Sequence, residues 1–185
     1  LKNIEKRYTN KQIKNAEKLY KLMKTNDVKN LKLAVMGGLP ASETKYSVSE
    51  FKEMLSAYKD MDNIDIKQNL REFIKEIMPV AEENNVKMGI HPDDPPIPLF
   101  GVPRIVSTMD DYQYIFDSYD SPCNGMTFCA GSLASNFYND VYKIFNKFKK
   151  RINFIHLRNV KKEKDRKSFY ESNHLNGDVD FVRLI

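Results

Sequence analysis

Three residues of the kinds that bind divalent metals occupy matching places in the sequence. His91, Cys129 and His156 each close a short apolar run, residues 86–91, 125–129 and 152–156, that reads as a β-strand. In parallel α/β architectures the side chains at the carboxyl ends of the strands gather at one mouth, where the βα loops converge. Imidazole nitrogen and thiolate sulfur suit borderline divalent ions, and a catalytic site uses three or four protein ligands and keeps a position for substrate. Taken singly, each residue is equally compatible with a plainer role, a hydrogen-bonded histidine or a small buried cysteine. Their shared position points to a common metal site, and the residues alone leave both readings open.

Polar groups suited to an acidic, hydroxyl-rich ligand follow the same three residues. His91 begins the stiff segment His91-Pro92-Asp93-Asp94-Pro95-Pro96, whose prolines restrict the backbone and whose carboxylates can orient an imidazole or accept hydroxyls. Arg104 stands in Gly101-Val102-Pro103-Arg104, and Arg158-Asn159 follows His156 by two positions. A guanidinium holds a carboxylate through two parallel hydrogen bonds, so Arg104 and Arg158 are candidate anchors, with a surface ion pair as the alternative for each. Gly131-Ser132 permits a close backbone approach beside Cys129, a weak signal by itself.

The elements that must position these groups fall into two stretches. Residues 1–85 read as mainly helical. Thr9 caps a helix with Ile13, Ala16, Leu19, Tyr20 and Met23 on one face. Gly37-Gly38-Leu39-Pro40 breaks the pattern, and Ser47-Val48-Ser49-Glu50 fits a capping box ahead of Phe51, Met54, Leu55 and Tyr58. A longer helix is expected from about residue 64 to 84, with Leu70, Phe73, Ile74, Ile77 and Ala81 inward and Pro79 bending or restarting it. From residue 86 onward short apolar runs alternate with helical patterns, at 108–119 behind a Thr108 cap and at 139–149, as in βαβ units. No internal repeat or linker divides the chain, so 1–185 reads as a single α/β domain.

Length sets a bound: 185 residues can bury a core but fall short of the roughly 250 of a closed eight-stranded barrel. A chain that opens on Leu1 and stops inside the apolar run Phe181-Val182-Arg183-Leu184-Ile185 reads as cut at both ends. The net charge of +5 is spread through amphipathic stretches; the runs at 147–151 and 161–167 read as solvated helix ends and loops, and no concentrated basic face or stacking motif supports a nucleic-acid partner. No apolar window reaches 18 residues and no leader pattern is present, which favours a cytoplasmic protein without a membrane partner. Two cysteines, Cys123 and Cys129, are too few for a disulfide framework and read as reduced thiols.

Four ordered segments resemble a known family. His91-Pro92-Asp93-Asp94-Pro95-Pro96, continuing through Gly101-Val102-Pro103-Arg104-Ile105-Val106, is similar to the most distinctive signature of mannonate dehydratases, and Cys129-Ala130-Gly131-Ser132 resembles their Cys-Thr-Gly-Ser segment. His156-Leu157-Arg158-Asn159-Val160 and the stretch from Glu171 through His174 to Asp180 resemble two further blocks in the family's order; Gly38-Leu39-Pro40, Tyr46-Ser47 and Tyr58-Lys59-Asp60 do so more weakly. The resemblance implies a partial, xylose-isomerase-like (β/α) TIM barrel with a helical N-terminal stretch. It also implies elimination of water from D-mannonate to give 2-dehydro-3-deoxy-D-gluconate in glucuronate breakdown, with Mn(II) or Fe(II) as cofactor. The family's metal ligands carry over onto His91, Cys129 and His156, and Asp93, Asp94, Arg104, Arg158, Asn159 and His174 become candidate substrate contacts. The family's fourth ligand, an aspartate in an Asp-His-Gly segment, with the adjacent histidine and a later tyrosine as acid–base groups, has no counterpart in these 185 residues, so no catalytic residue is assigned within them and the piece alone is expected to be inactive. Ala130, Tyr170 and Asn173 depart from the family pattern, and Tyr170 puts any role of that position in doubt. The partner implied is a small sugar acid, with a homo-oligomer possible, and the alternative reading is a metal-dependent sugar isomerase of the same barrel type.

Overall fold

The computed structural model describes residues 9–37, 46–164 and 168–184. The chain forms two compact units, one of Leu1–Met61 with Phe100–Val102, the other of Asp62–Leu99 with Pro103–Ile185. In the first, α1 (Asn10–Leu22) and α3 (Val48–Ser56) start where the caps predict, and α2 (Thr25–Gly37), for which no cap was expected, lies between them. Thr9 and Gln12 form a reciprocal capping box, and so do Ser47 and Glu50. The apolar faces expected to be inward do not form a core: no residue of α1 or α3 is buried, and Leu19 and Tyr20 are 65% and 54% exposed. Three short helices enclose too little volume to cover a stripe that periodicity alone marks as apolar. The glycine break at 37–40 lies, after Gly37, outside the described residues.

The second unit holds the predicted βα pattern. Asp62 caps α4 (Asn63–Glu83), accepting from the Ile64 and Asp65 amides at 2.7 and 3.1 Å. Ile74, Met78 and Ala81 are its buried side, whereas Phe73, expected inward, is 57% exposed, and Pro79 lies inside the helix without restarting it. β1 (Met88–Ile90), β2 (Asn124–Cys129) and β3 (Ile152–His156) make a parallel sheet in that order. α5 (Met109–Ser118) connects the first pair; α6 (Ala130–Ser135) and α7 (Val141–Phe148), with a 3-10 turn at Lys149–Arg151, connect the second. Parallel neighbours need such crossovers. Tyr112, Ile115, Phe116, Met126, Phe128, Ile144 and Phe148 form the core between sheet and helices, each such side chain contributing about 1.5–3 kcal/mol when fully buried. The core anchors β2, whose six residues are all buried.

In the second unit a strand pair and a helix were not anticipated. β4 (Asn159–Lys162) and β5 (Phe169–Ser172) pair antiparallel, so part of the basic run at 161–167, expected to be solvated loop, is strand. The helix is α6, six buried residues beginning directly after Cys129. The terminal apolar run does enter an element, α8 (Phe181–Leu184).

Asn159 organises the end of this unit. Its amide donates to the His174 and Val179 carbonyls at 2.7 and 2.8 Å and accepts from the Val160 and Val179 amides at 3.0 and 3.1 Å. All four hydrogen-bonding positions are used, so the expected substrate contact gives way to a structural role. A Cβ on Gly177 would lie 2.1 Å from the Asn159 amide carbon and oxygen. Gly177→Ala is therefore expected to cost about 1–3 kcal/mol, the range for overpacking a filled site, read as a lower urea midpoint at unchanged slope; an unchanged midpoint would show that Asn159 can move aside.

Candidate metal centre

The sheet register brings the three sequence-selected residues together. Cys129 and His156 are Cα partners across β2 and β3, and His91 follows the last residue of β1. One ligand atom from each of His91, Cys129 and His156 lies within 4.8 Å of the others, and the two imidazole centroids are 6.0 Å apart. Donors around one tetrahedral ion with bonds of about 2.0–2.3 Å stand roughly 3.3–3.8 Å apart, so a small contraction closes the set on a cation. The cysteine is fully buried and both histidines are exposed, which leaves the imidazole side open to an incoming ligand.

Each donor is oriented by its surroundings. Nδ1 of His91 lies 2.7 Å from the Pro92 carbonyl; donation there leaves Nε2 as the lone-pair nitrogen, the arrangement that commonly fixes a metal-binding tautomer. Tyr112, buried in the core, donates its hydroxyl to the Ile90 carbonyl at 3.0 Å and so ties the end of β1 to α5. Cys129 is the N-cap residue of α6, and its sulfur lies 3.2 Å from the Ser132 hydroxyl. A hydrogen bond to the Cys129 sulfur raises the His91 pKa above its ordinary value against the opposing effect of burial. Burial pushes the Cys129 thiol up, but hydrogen bonds from His91 and Ser132 outweigh it and the net shift is downward. Two nitrogens and a sulfur whose ionisation is favoured by its neighbours form a donor set that fits a divalent transition metal.

Residues 5–185 match the family model for D-mannonate dehydratase (UxuA). The chain belongs to this family. It is 45% identical to the mannonate dehydratase of Chromohalobacter salexigens over 82% of this chain and 39% of that protein. With the mannonate dehydratase of Saccharophagus degradans it shares 40% identity over 96% of this chain and 45% of that protein. The crystal structure of mannonate dehydratase from Streptococcus suis serotype 2 superposes with a TM-score of 0.70 at 39% identity, covering 80% of this chain and 42% of that one. The chain thus spans less than half the length of each of these mannonate dehydratases.

The remaining candidates in this mannonate dehydratase family member divide by location. Asp94 and Arg158 form an ion pair beside the cysteine, with Arg158 Nη1 and Asp94 Oδ2 both near the Ser132 hydroxyl, at 3.2 and 3.3 Å. Glu171 flanks the same guanidinium 3.3 Å from its Nε. Gly131 admits this approach, since a Cβ there would meet the Arg158 side chain and carbonyl at 3.0 Å. Asp93 instead staples its own loop: Oδ2 accepts from the Val106 amide at 2.7 Å and the Ser107 hydroxyl at 3.1 Å, and Arg104 Nη1 lies 3.7 Å from Oδ1. Arg104 also donates to the Ile97 carbonyl at 3.3 Å. His174 is exposed, packs against the Phe181 ring and is not among the clustered ligand residues. Cys123 and Cys129 are both free, and among the described residues no helix is long and apolar enough to cross a membrane.

Sequence reasoning missed Tyr112 as part of the site and noted Ser132 only for the backbone approach of Gly131-Ser132, not for its hydroxyl. Ser132 stands three positions after Cys129, the spacing at which a side chain one turn into a helix meets the cap residue, but that signal is visible only once α6 is known to begin there.

Proposed function

We propose that His91, Cys129 and His156 hold a divalent metal, Mn(II) or Fe(II), in a partial (β/α) barrel that serves dehydration of D-mannonate to 2-dehydro-3-deoxy-D-gluconate in glucuronate catabolism. The observation that carries this reading is the convergence of the three donor atoms within 4.8 Å in a chain of the mannonate dehydratase family. Removing water across C2 and C3 requires loss of a weakly acidic proton beside a carboxylate and departure of hydroxide. A bound metal supplies stabilisation of the negative charge that develops on the substrate oxygens. The chain's own residues do the rest of the positioning. Pro92 fixes the His91 ring, and the Asp94–Arg158 pair places a guanidinium at the edge of the site, where it can receive the substrate carboxylate. The prolines of residues 92–96 stiffen the loop that carries Asp94. Proton donor and acceptor are expected from the family's Asp-His-Gly segment and later tyrosine. The protein is proposed to be cytoplasmic and to act on a small sugar acid, without nucleic acid.

The product distinguishes this from the isomerase alternative, because elimination yields a 2-keto-3-deoxy acid whereas proton shuttling leaves the oxygen count unchanged. Incubating D-mannonate with the metal-loaded chain, joined to the remaining segments of a family relative, is expected to release 2-dehydro-3-deoxy-D-gluconate. An isomerised sugar acid of unchanged mass as the sole product would sink the dehydratase reading.

Acidification provides a second test. In the metal-free protein the His91 imidazole is raised and the Cys129 thiol lowered, so the pair holds a proton between them that a cation must displace. Affinity should therefore fall with decreasing pH, by on the order of tenfold per unit for each proton displaced, starting above the ordinary imidazole range because His91 is raised. Chelator-competition titrations with Zn(II) between about pH 8 and about pH 5 check this; a constant independent of pH would remove both residues from the ligand set.

A further inference from the structure

The Ser132 hydroxyl has one proton and three polar neighbours: Cys129 Sγ at 3.2 Å, Asp94 Oδ2 at 3.3 Å and Arg158 Nη1 at 3.2 Å. Arg158 only donates, so it occupies a lone pair of the serine oxygen. The proton is left to the carboxylate or the sulfur. Asp94 Oδ2 already receives Arg158 Nη1 and does not depend on the serine. The sulfur is in a different position. In the metal-free protein it is supported by both His91 and Ser132. Once His91 binds a cation it no longer donates to the sulfur, and the Ser132 hydroxyl remains as a side-chain donor beside a fully buried thiolate. The Ser132 backbone amide also supports the sulfur, and a charge-assisted O–H···S bond adds to that support and fixes the direction of the thiolate.

We propose that Ser132 is a positioning residue of the metal centre: its hydroxyl, held by Arg158, donates to the Cys129 sulfur and sets the direction and donor strength of the thiolate when a metal is bound. The proposal rests on reading His91, Cys129 and His156 as ligands. It also gives the Arg158–Asp94 pair a second role, since Arg158 occupies a lone pair of the serine oxygen and keeps it within reach of the sulfur.

Cobalt(II) reads the sulfur directly, through the thiolate-to-metal charge-transfer absorption in the near ultraviolet, and chelator competition gives the affinity. Ser132→Ala is expected to move that band to lower energy, because a thiolate without its hydrogen bond gives up an electron more easily, and to weaken Co(II) binding on the order of tenfold, the scale of outer-sphere ligand support. Ser135→Ala is the control. Its hydroxyl is equally buried but bonds to the Ser132 carbonyl at 2.8 Å, so the same deletion should leave band and affinity at wild-type values. Ser132→Thr keeps the hydroxyl and should retain the wild-type band. A Ser132→Ala protein with unchanged band and affinity overturns the proposal. If the alanine variant fails to fold by circular dichroism, the threonine variant decides: a wild-type band supports the role, and a displaced band overturns it. A wild-type protein that binds Co(II) without any thiolate band would instead overturn the ligand assignment beneath it.

Discussion

Replacing Cys129 by alanine is expected to weaken divalent-metal binding by roughly 10²–10³-fold. Structural zinc sites bind with about 10–16 kcal/mol over four ligands, so each ligand accounts for about 2.5–4 kcal/mol. The thiolate is the one anionic donor of the three and is held near its charged form by His91 and Ser132. Cys129 is also a buried residue that ends the central strand, so its truncation carries a packing cost that could be mistaken for a metal effect. His156→Ala separates the two. That side chain is exposed at the end of β3, so its loss should leave the urea midpoint nearly unchanged while lowering metal affinity by a similar factor. Competition with a chelator of known affinity, run on both variants, measures the effect. Wild-type affinity in either would strike that residue from the ligand set, and loss of affinity in Cys129→Ala alone would point to collapse of the strand end.

The sequence located the site better than it located the core, for a physical reason. A strand of a parallel sheet is a short apolar run, and the residue that ends it is fixed by the run itself, which is why His91, Cys129 and His156 could be placed at equivalent strand ends before any coordinates. Capping serines and threonines announce themselves in the same local way, and the boxes at Thr9, Ser47 and Thr108 all form. Burial is not local. The stripes on α1 and α3 have helical spacing, yet whether Leu19 or Tyr20 is covered depends on neighbours that spacing cannot supply. Phe73 failed similarly: Ile74 and Ala81 are buried and Leu70 and Ile77 pack against the core as the spacing predicts, but Phe73 is 57% exposed. The hairpin of β4 and β5 was hidden because its strands carry Lys161, Lys162 and Glu171, and charged residues are legible as strand only when the partner is known.

Among the polar candidates, residue type identified the neighbourhood but not the task. Asn159 was picked for its place after His156, and it is instead the buried amide that ties β4 to residues 174 and 179. Asp93 and Asp94 are adjacent and chemically alike, but one holds the backbone of residues 106–107 and the other reaches across to Arg158. That division depends on the direction of two consecutive side chains in a proline-rich loop, which no spacing rule encodes.

The same division makes Arg158, rather than Arg104, the residue whose replacement should affect substrate most. Its guanidinium is linked to the Cys129 sulfur through a single serine hydroxyl and is flanked by Asp94 and Glu171. Burial works against its charge, but Asp94 and the other nearby acids more than compensate, and its pKa is raised. Arg104, by contrast, is committed to the Ile97 carbonyl and Asp93 within its own loop. Arg158→Lys keeps the positive charge but loses the planar fork, so one ammonium cannot hold Asp94, Ser132 and a substrate carboxylate together. Losing one charge-assisted hydrogen bond of about 1.5 kcal/mol corresponds to roughly tenfold weaker binding of D-mannonate to the metal-loaded protein. Arg104→Lys should change it less than about threefold, the scale of an exposed ion pair. Calorimetry with D-mannonate and with D-mannitol, which has the hydroxyls without the carboxylate, isolates the contribution. The wild-type preference for the acid should shrink in Arg158→Lys and persist in Arg104→Lys. If both ligands weaken equally in Arg158→Lys, the arginine supports the site's shape and the carboxylate is held elsewhere.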